Sequence, residues 1–170
     1  MRLLALETAT EACSVALWVD GAVIERHELA PRRHAELVLP MVDAVLAEGG
    51  MSRRALDAIA VGRGPGAFTG VRLAIAVAQG LALALDRPVV PVSTLAALAL
   101  AAAQDAGAAP ILAAIDARMG EVYAGCFRAD AQGLVEPIAA ELLAPPQLLL
   151  LPAHSAWRIV GSGWLTYRDL

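Results

Sequence analysis

Lysine is absent from this chain, and its thirteen basic residues are all arginine. The absence excludes mechanisms that need a lysine amine, such as Schiff-base chemistry or the lysine of a P-loop. Cysteine is nearly absent, because only Cys13 and Cys126 occur and they form no CxxC pair. We therefore expect neither a disulfide framework nor a zinc knuckle, and the cysteine usage predicts a reducing cytoplasm.

Long uninterrupted apolar runs and a positive net charge are also missing. Hydrophobic residues make up 58% of the chain, but the longest uncharged run, residues 88–104, contains two prolines. We interpret that run as a strand followed by a helix, and we expect neither a membrane span nor a signal peptide. The net charge of −4 and the pI near 5.3 argue against a protein that grips nucleic acid by itself, because phosphate contacts need clustered basic residues.

The apolar periodicity predicts an α/β protein in two lobes. Alternation, an Asp-Gly turn and a stripe of helical spacing indicate three strands, then helix, strand, helix, strand and helix. The strands are expected at residues 2–7, 13–20, 22–29, 58–61 and 88–92, and the helices at 34–48, 71–85 and 94–104.

The second half of the chain begins the same pattern again. Strands are expected at residues 111–116, 121–127, 134–140 and 157–160, with a short helix at 145–151. A meander followed by helix, strand and helix, occurring twice, is the plan of the actin/Hsp70/sugar-kinase-like ATPase fold. The prediction is therefore a duplicated fold, with a first lobe at residues 1–105 and a second at 106–170 that lacks its C-terminal end.

A glycine-rich loop, residues 62–70, lies between a predicted strand and a long apolar helix. Strand, loop and helix N-terminus in this order form a common anion cradle, because unpaired N–H groups point out of the first helical turn. The residues that would form a phosphate loop, here a vestigial one, are Thr8, Thr10, Gly62, Gly64 and Gly66. A dinucleotide loop is the less favoured alternative, because the loop does not open the fold and Pro65 removes one N–H.

No catalytic constellation is visible in the sequence. His27, His34 and His154 are scattered and form no metal-ligand pair, and both cysteines lie in apolar strands. Glu7 and Asp116 end equivalent strands, where an acid either orients metal-bound water or, more often, satisfies the N–H groups of the following turn.

The first two helices carry more apolar surface than a helix needs to dock on its sheet. The helix at 71–85 is apolar nearly all round, which requires burial on every side. In a chain of this length that pattern favours a partner surface. The residues expected at this interface are Leu37, Val38, Met41, Val42, Val45, Phe68, Val71, Arg72, Ile75 and Gln79.

Three segments together resemble the TsaB (YeaZ) family. They are residues 4–9 (LALETA), residues 33–40 (RHAELVLP) and residues 62–72 (GRGPGAFTGVR). The resemblance implies a non-catalytic activating subunit of the complex that transfers threonylcarbamoyl to the tRNA adenosine beside the anticodon. Alternatives are a glycoprotease-like peptidase and a stand-alone nucleotide-binding module.

The resemblance also implies which partners the chain has. The first two helices would form a bundle with those of a TsaD-like catalytic subunit, or with a second copy as a homodimer when the chain is alone. A TsaE-like ATPase would join the larger complex, and tRNA contact would be indirect. TsaD-type proteins carry an HxxxH metal pair, and the aligned positions here are Thr94 and Leu98. No cofactor is therefore expected in this subunit, with ATP and metal on the TsaD-like partner.

Overall fold

A computed structural model describes residues 1–104, 107, 109–153 and 156–168, and they form two compact units. The first unit is Met1–Val92 and the second is Ser93–Leu170. The predicted boundary at residue 105 lies later in the chain than the observed division between Val92 and Ser93. The reason is that the helix that follows Ser93 packs on strands of the second unit. Sequence periodicity located this helix but not the sheet that buries it.

The first unit contains a mixed five-stranded sheet with two helices. Its strands are β1 (Arg2–Glu7), β2 (Ala12–Val19), β3 (Ala22–Leu29), β4 (Ala58–Gly62) and β5 (Val89–Val92). Helix α1 (His34–Glu48) joins β3 to β4, and helix α2 (Phe68–Leu85) joins β4 to β5. The spatial order is β3-β2-β1-β4-β5, with an antiparallel meander followed by two parallel strands.

Local sequence explains the first hairpin and the buried face of this sheet. Asp20 and Gly21 both take positive φ, as a tight hairpin between β2 and β3 requires, so the predicted turn is confirmed. Alternate residues of β1 and β2 point into the core, where Leu4, Leu6 and Leu17 are almost completely buried. The core lies between this sheet and the inward faces of α1 and α2.

The second unit repeats the start of this pairing scheme. It contains helix α3 (Thr94–Ala103), strands β6 (Ile111–Arg118) and β7 (Glu121–Ala129), and strand β10 (Arg158–Val160). β6 pairs antiparallel with β7 and parallel with β10, as β1 pairs with β2 and β4. The chain thus has the predicted duplicated actin/Hsp70/sugar-kinase-like fold.

Several predicted bounds in the second unit need correction. The strand predicted at 134–140 is shorter, β8 (Val135–Pro137), and a further strand, β9 (Leu142–Ala144), pairs with a different part of β7. The helix predicted at 145–151 is only a 3₁₀ turn at Pro146–Leu148. The unit ends, within the described residues, in the short helix α4 (Gly163–Thr166).

Candidate functional site

The loop between β4 and α2 is filled by the turn between β1 and β2. A Cβ on Gly66 would lie closer than 3.0 Å to the carbonyl oxygen of Ala9, and one on Gly70 would lie closer than 3.0 Å to that of Thr8. On Gly62 it would meet the carboxylate of Glu7 in the same way. Gly66 and Gly70 are therefore required by contact with the backbone of the neighbouring turn, whereas at Gly62 the contact is with the end of a flexible side chain.

Hydrogen bonds fix the same contact and use polar groups assigned to the phosphate loop. Thr8 is fully buried, and its Oγ1 donates to the carbonyl oxygen of Gly70 at 2.7 Å. The N–H of Ala67 donates to the carbonyl oxygen of Ala9 at 2.7 Å. The hydroxyl oxygen of Thr10 accepts from the N–H of Ala12 at 3.4 Å. The Thr8 hydroxyl thus closes an internal contact, and the vestigial phosphate loop stays a prediction.

Gly64 is the member of the loop that needs glycine for its backbone conformation. Its φ is +85°, and the peptide bond to Pro65 is cis.

Helix α2 begins at Phe68, earlier than the predicted residue 71, because Gly70 belongs to its first turn. The sequence pattern assigns Gly70 to the loop, whereas the close approach of the Thr8 backbone explains why this helical position is a glycine.

The acids at the ends of β1 and β6 serve their following turns. Glu7 Oε1 accepts the N–H of Ala9 at 2.7 Å, and Asp116 Oδ1 accepts the N–H of Arg118 at 2.8 Å. Tyr167 also donates its hydroxyl to Asp116 Oδ1 at 3.1 Å. Burial, together with this bond to Asp116, raises the pKa of Tyr167. The turn-closing interpretation of both acids is confirmed.

The remaining chemistry-bearing side chains are dispersed. His27 is exposed on β3, and His34 Nε2 lies 3.0 Å from the carbonyl oxygen of Thr10, while His154 lies outside the described residues. Burial raises the pKa of the Cys13 and Cys126 thiols, and Glu28 adds to the effect at Cys13. Within the described ranges no group of three or more His, Cys, Asp or Glu side chains is arranged to hold a metal ion.

Helix α1 directs most of its predicted interface residues into the core of the first unit. Val38, Met41, Val42 and Val45 are buried against the sheet, and Leu37 is half-buried beside them. The assignment of the four buried side chains to a partner surface is therefore wrong. A stripe at i, i+3 and i+4 has the same sequence pattern whether it covers a sheet or a second chain.

Helix α2 has a different distribution of exposure. Only 22% of its residues are buried, and these include Ala74, Ala78 and Ala82, which pack against the sheet. Phe68 is 68% exposed and Leu83 is 87% exposed. By length and composition alone, this helix is also apolar enough to cross a membrane.

We use the term α2 face for the exposed side of this helix. It consists of Phe68, Thr69, Arg72, Ala76, Gln79, Gly80, Leu83 and Ala84. The Arg72 guanidinium lies 3.4 Å from the centroid of the Phe68 ring and donates to the Phe68 carbonyl oxygen at 3.2 Å. The α2 face therefore combines a large apolar area with one cation held over an aromatic ring.

The predicted interface residues on α2 divide between this face and its border. Phe68, Arg72 and Gln79 lie on the α2 face, whereas Val71 and Ile75 are half-buried at its edge. The prediction missed Ala76, Gly80 and Leu83. Helical spacing from Phe68 and Arg72 would have found them, because positions at i+4, i+8, i+11 and i+15 share one side of a helix.

Comparison with known proteins relates this geometry to a family. The chain is 47% identical over 173 residues to the tRNA threonylcarbamoyladenosine biosynthesis protein TsaB of Escherichia coli K12, an alignment that covers all of this chain and 75% of that protein. The chain belongs to the TsaB family. The TsaB of Haemophilus influenzae is 45% identical over 98% of this chain and 74% of its own length.

Two further findings agree with TsaB membership. The solved structure of YeaZ from Pseudomonas aeruginosa has 51% sequence identity and a TM-score of 0.93, covering 99% of this chain and 78% of that one. A family model described as TsaD, tRNA N6-adenosine threonylcarbamoyltransferase, matches residues 25–159. This TsaB-family chain is thus also similar in sequence to the TsaD family, whose model is described as a transferase.

Proposed function

We propose that this chain is a non-catalytic subunit of the tRNA threonylcarbamoyladenosine pathway that binds and activates a TsaD-like transferase through its α2 face. The observation that carries the proposal is the exposure of α2. An apolar helix of this length is normally covered, yet its side chains at Phe68 and Leu83 are open to solvent. The names of its TsaB relatives place the chain in this pathway.

The partner follows from the two families that the chain resembles. Its relatives are biosynthesis proteins named TsaB, and its sequence also matches the TsaD model. A paralogue of the same fold would present a helix equivalent to α2, and the two helices would bury their exposed apolar faces together. A second copy of this chain is the alternative occupant when the transferase is absent.

The division of labour follows from what the described residues contain. The positions aligned with the transferase's metal pair are Thr94, which is buried, and Leu98, which has no metal-binding atom. We therefore assign ATP and metal to the TsaD-like partner and give this chain a structural part, with a TsaE-like ATPase joining the larger assembly. The acidic net charge supports indirect contact with tRNA.

Under the same proposal, the exposed side of α2 contacts a protein in the cytoplasm and not a lipid bilayer. One side of α2 already packs against β4 and β1 through small alanines, so the helix is part of a folded sheet layer. Its other side carries Arg72 and Gln79 among apolar residues. A mixed surface of this kind suits a protein interface, in which arginine and aromatic residues are enriched.

The test is binding of the purified chain to the TsaD-like subunit of the same organism. Phe68→Asp and Leu83→Asp should each abolish co-elution in size-exclusion chromatography, because a buried unpaired carboxylate is costly. Leu148→Asp is the matched control, since Leu148 is 68% exposed in the second unit, outside α2. Threonylcarbamoylation of tRNA by the partner should require the wild-type chain and fail with either α2 variant.

Other outcomes would support other functions. Co-elution of both α2 variants at wild-type levels would contradict the interface. Tight ATP binding by the isolated chain, lost in Gly64→Val, would indicate a nucleotide-binding module. Zinc-dependent peptide cleavage by the pure chain would indicate a peptidase.

A further inference from the structure

Gly80 has no structural reason to be glycine within the folded chain. Each of the other thirteen glycines either has a positive φ or would place a Cβ within 3.1 Å of a neighbouring atom. Gly80 has neither property, because its backbone is helical and a Cβ there would meet nothing within 4 Å. The space above Gly80 is open and faces solvent.

A glycine in the interior of a helix weakens folding. Relative to alanine it lowers the folding equilibrium constant about fivefold, because the unfolded chain gains conformational freedom. Gly80 lies well inside α2, away from either helix end. Since nothing within the chain requires a missing side chain at this position, we look for the requirement outside the chain.

The neighbours of Gly80 define a shallow gap in the α2 face. Ala76 and Ala84 lie one turn before and one turn after it, and both are exposed. The longer side chains of Arg72 and Leu83 border this gap. Small residues thus follow one another along α2 from Ala76 to Ala84, with longer side chains beside them.

We propose that an α-helix of the TsaD-like partner crosses α2 at Ala76 and Gly80, with the two backbones in close approach. This inference rests on the proposed function and adds the point of contact and its steric condition. Packed helices usually lie 8–10 Å apart, with the distance set by the side chains between them. A missing side chain at the crossing allows an approach at the short end of that range, while Leu83 packs beside the incoming helix.

A small-molecule ligand does not explain the same feature. A cavity of about 130 Å³ borders the first turn of α2 at Thr69 and Gly70, but Gly80 and Ala76 are not part of its lining. Gly80 lies instead on the outward, convex side of a helix. A second helix, which meets such a surface along a line, fits it better than a small ligand that needs an enclosing pocket.

The experiment measures two quantities for each variant of the full chain. One is the urea unfolding equilibrium of the chain alone, and the other is its Kd for the TsaD-like subunit by calorimetry. The variants are Gly80→Ala, Gly80→Leu and Ala76→Leu. Ala101→Leu, at an exposed alanine in the last turn of α3, is the matched control for added side-chain volume.

We expect substitution at Gly80 to strengthen the folding of the chain alone and to weaken its binding to the partner. Gly80→Ala should increase the folding equilibrium constant of the chain about fivefold. Gly80→Leu and Ala76→Leu should raise the Kd for the partner about tenfold or more while the chain stays folded, and Ala101→Leu should leave Kd unchanged.

Two contrary results have different meanings. If Leu83→Asp abolishes binding but Gly80→Leu binds with the wild-type Kd, the close crossing is wrong and the proposed interface stands. If the wild-type chain does not bind the TsaD-like subunit, the proposed function fails and the crossing fails with it.

Discussion

The buried hydroxyl of Thr8 donates a hydrogen bond of 2.7 Å to the carbonyl oxygen of Gly70, which is 62 residues away in the sequence. This bond joins the turn after β1 to the first turn of α2. It explains why a loop with the composition of a phosphate cradle serves here as a packing contact. It also fixes the start of α2, the helix that carries the exposed face.

Gly70→Ala should strongly destabilise the first unit. The new methyl group would overlap the carbonyl oxygen of Thr8, so one of the two backbone segments would have to move. We expect the free energy of unfolding to fall by about 2 kcal/mol or more. Urea denaturation followed by circular dichroism measures this change.

The same substitution at Gly80 is the control for Gly70→Ala. Gly80→Ala adds the same methyl group to the same helix, but into open space, and should stabilise the chain by about 1 kcal/mol. Equal effects at both positions would contradict the role assigned to the Thr8 contact.

Val42→Asp and Leu83→Asp should separate core from surface on the two apolar helices. Val42 is fully buried in α1, so a carboxylate there would lose its hydration and lower the free energy of unfolding by about 3 kcal/mol or more. Leu83 is 87% exposed, so Leu83→Asp should cost the chain alone only about 1 kcal/mol or less, through lower helix propensity and a carboxylate in the last turn of α2. Thermal unfolding monitored by circular dichroism distinguishes the two, and a Val42→Asp variant with the stability of the wild type would be inconsistent with the α1 core assignment.

Sequence reasoning succeeded where the signal is local. The β2–β3 hairpin follows from Asp20 and Gly21, and the N-terminus of α3 follows from Ser93, whose Oγ accepts the N–H of Ala96 at 3.2 Å. Each of these features depends on residues within a few positions of one another. The first meander and the order of helices could therefore be predicted from the sequence.

The features that sequence reasoning missed depend on distant neighbours. The need for glycine at position 70 comes from Thr8, and the burial of Val42 comes from strands on both sides of α1 in the sequence. An apolar stripe does not state which surface covers it, so the α1 and α2 residues looked equivalent as interface candidates. Only the packing of α1 on the sheet separates them.

Both cysteine thiols should be unreactive in the folded chain. Cys13 is fully buried and Cys126 is 8% exposed, and burial raises the pKa of each thiol, which lowers the reactive thiolate fraction. A thiol reagent such as dithionitrobenzoate should react with neither at neutral pH, and with both after unfolding in urea. Fast labelling of one cysteine in the native chain would indicate that its strand opens readily.

The ion pair between Arg2 and Asp57 should make stability depend on pH in the acid range. The Arg2 side chain bonds both Asp57 oxygens, at 2.8 and 3.3 Å, and the N–H of Arg2 donates to Oδ2 at 2.7 Å. These bonds lower the pKa of Asp57 to about 2, whereas an aspartate in an unfolded chain titrates near 3.9. The unfolded state therefore binds the proton more readily, so the contribution is fully present above about pH 4 and is lost as the pH falls towards about 2. Asp57→Asn removes this titration, so its urea midpoint should fall less steeply than that of the wild type over this range. Parallel pH profiles for the two proteins would contradict the assignment.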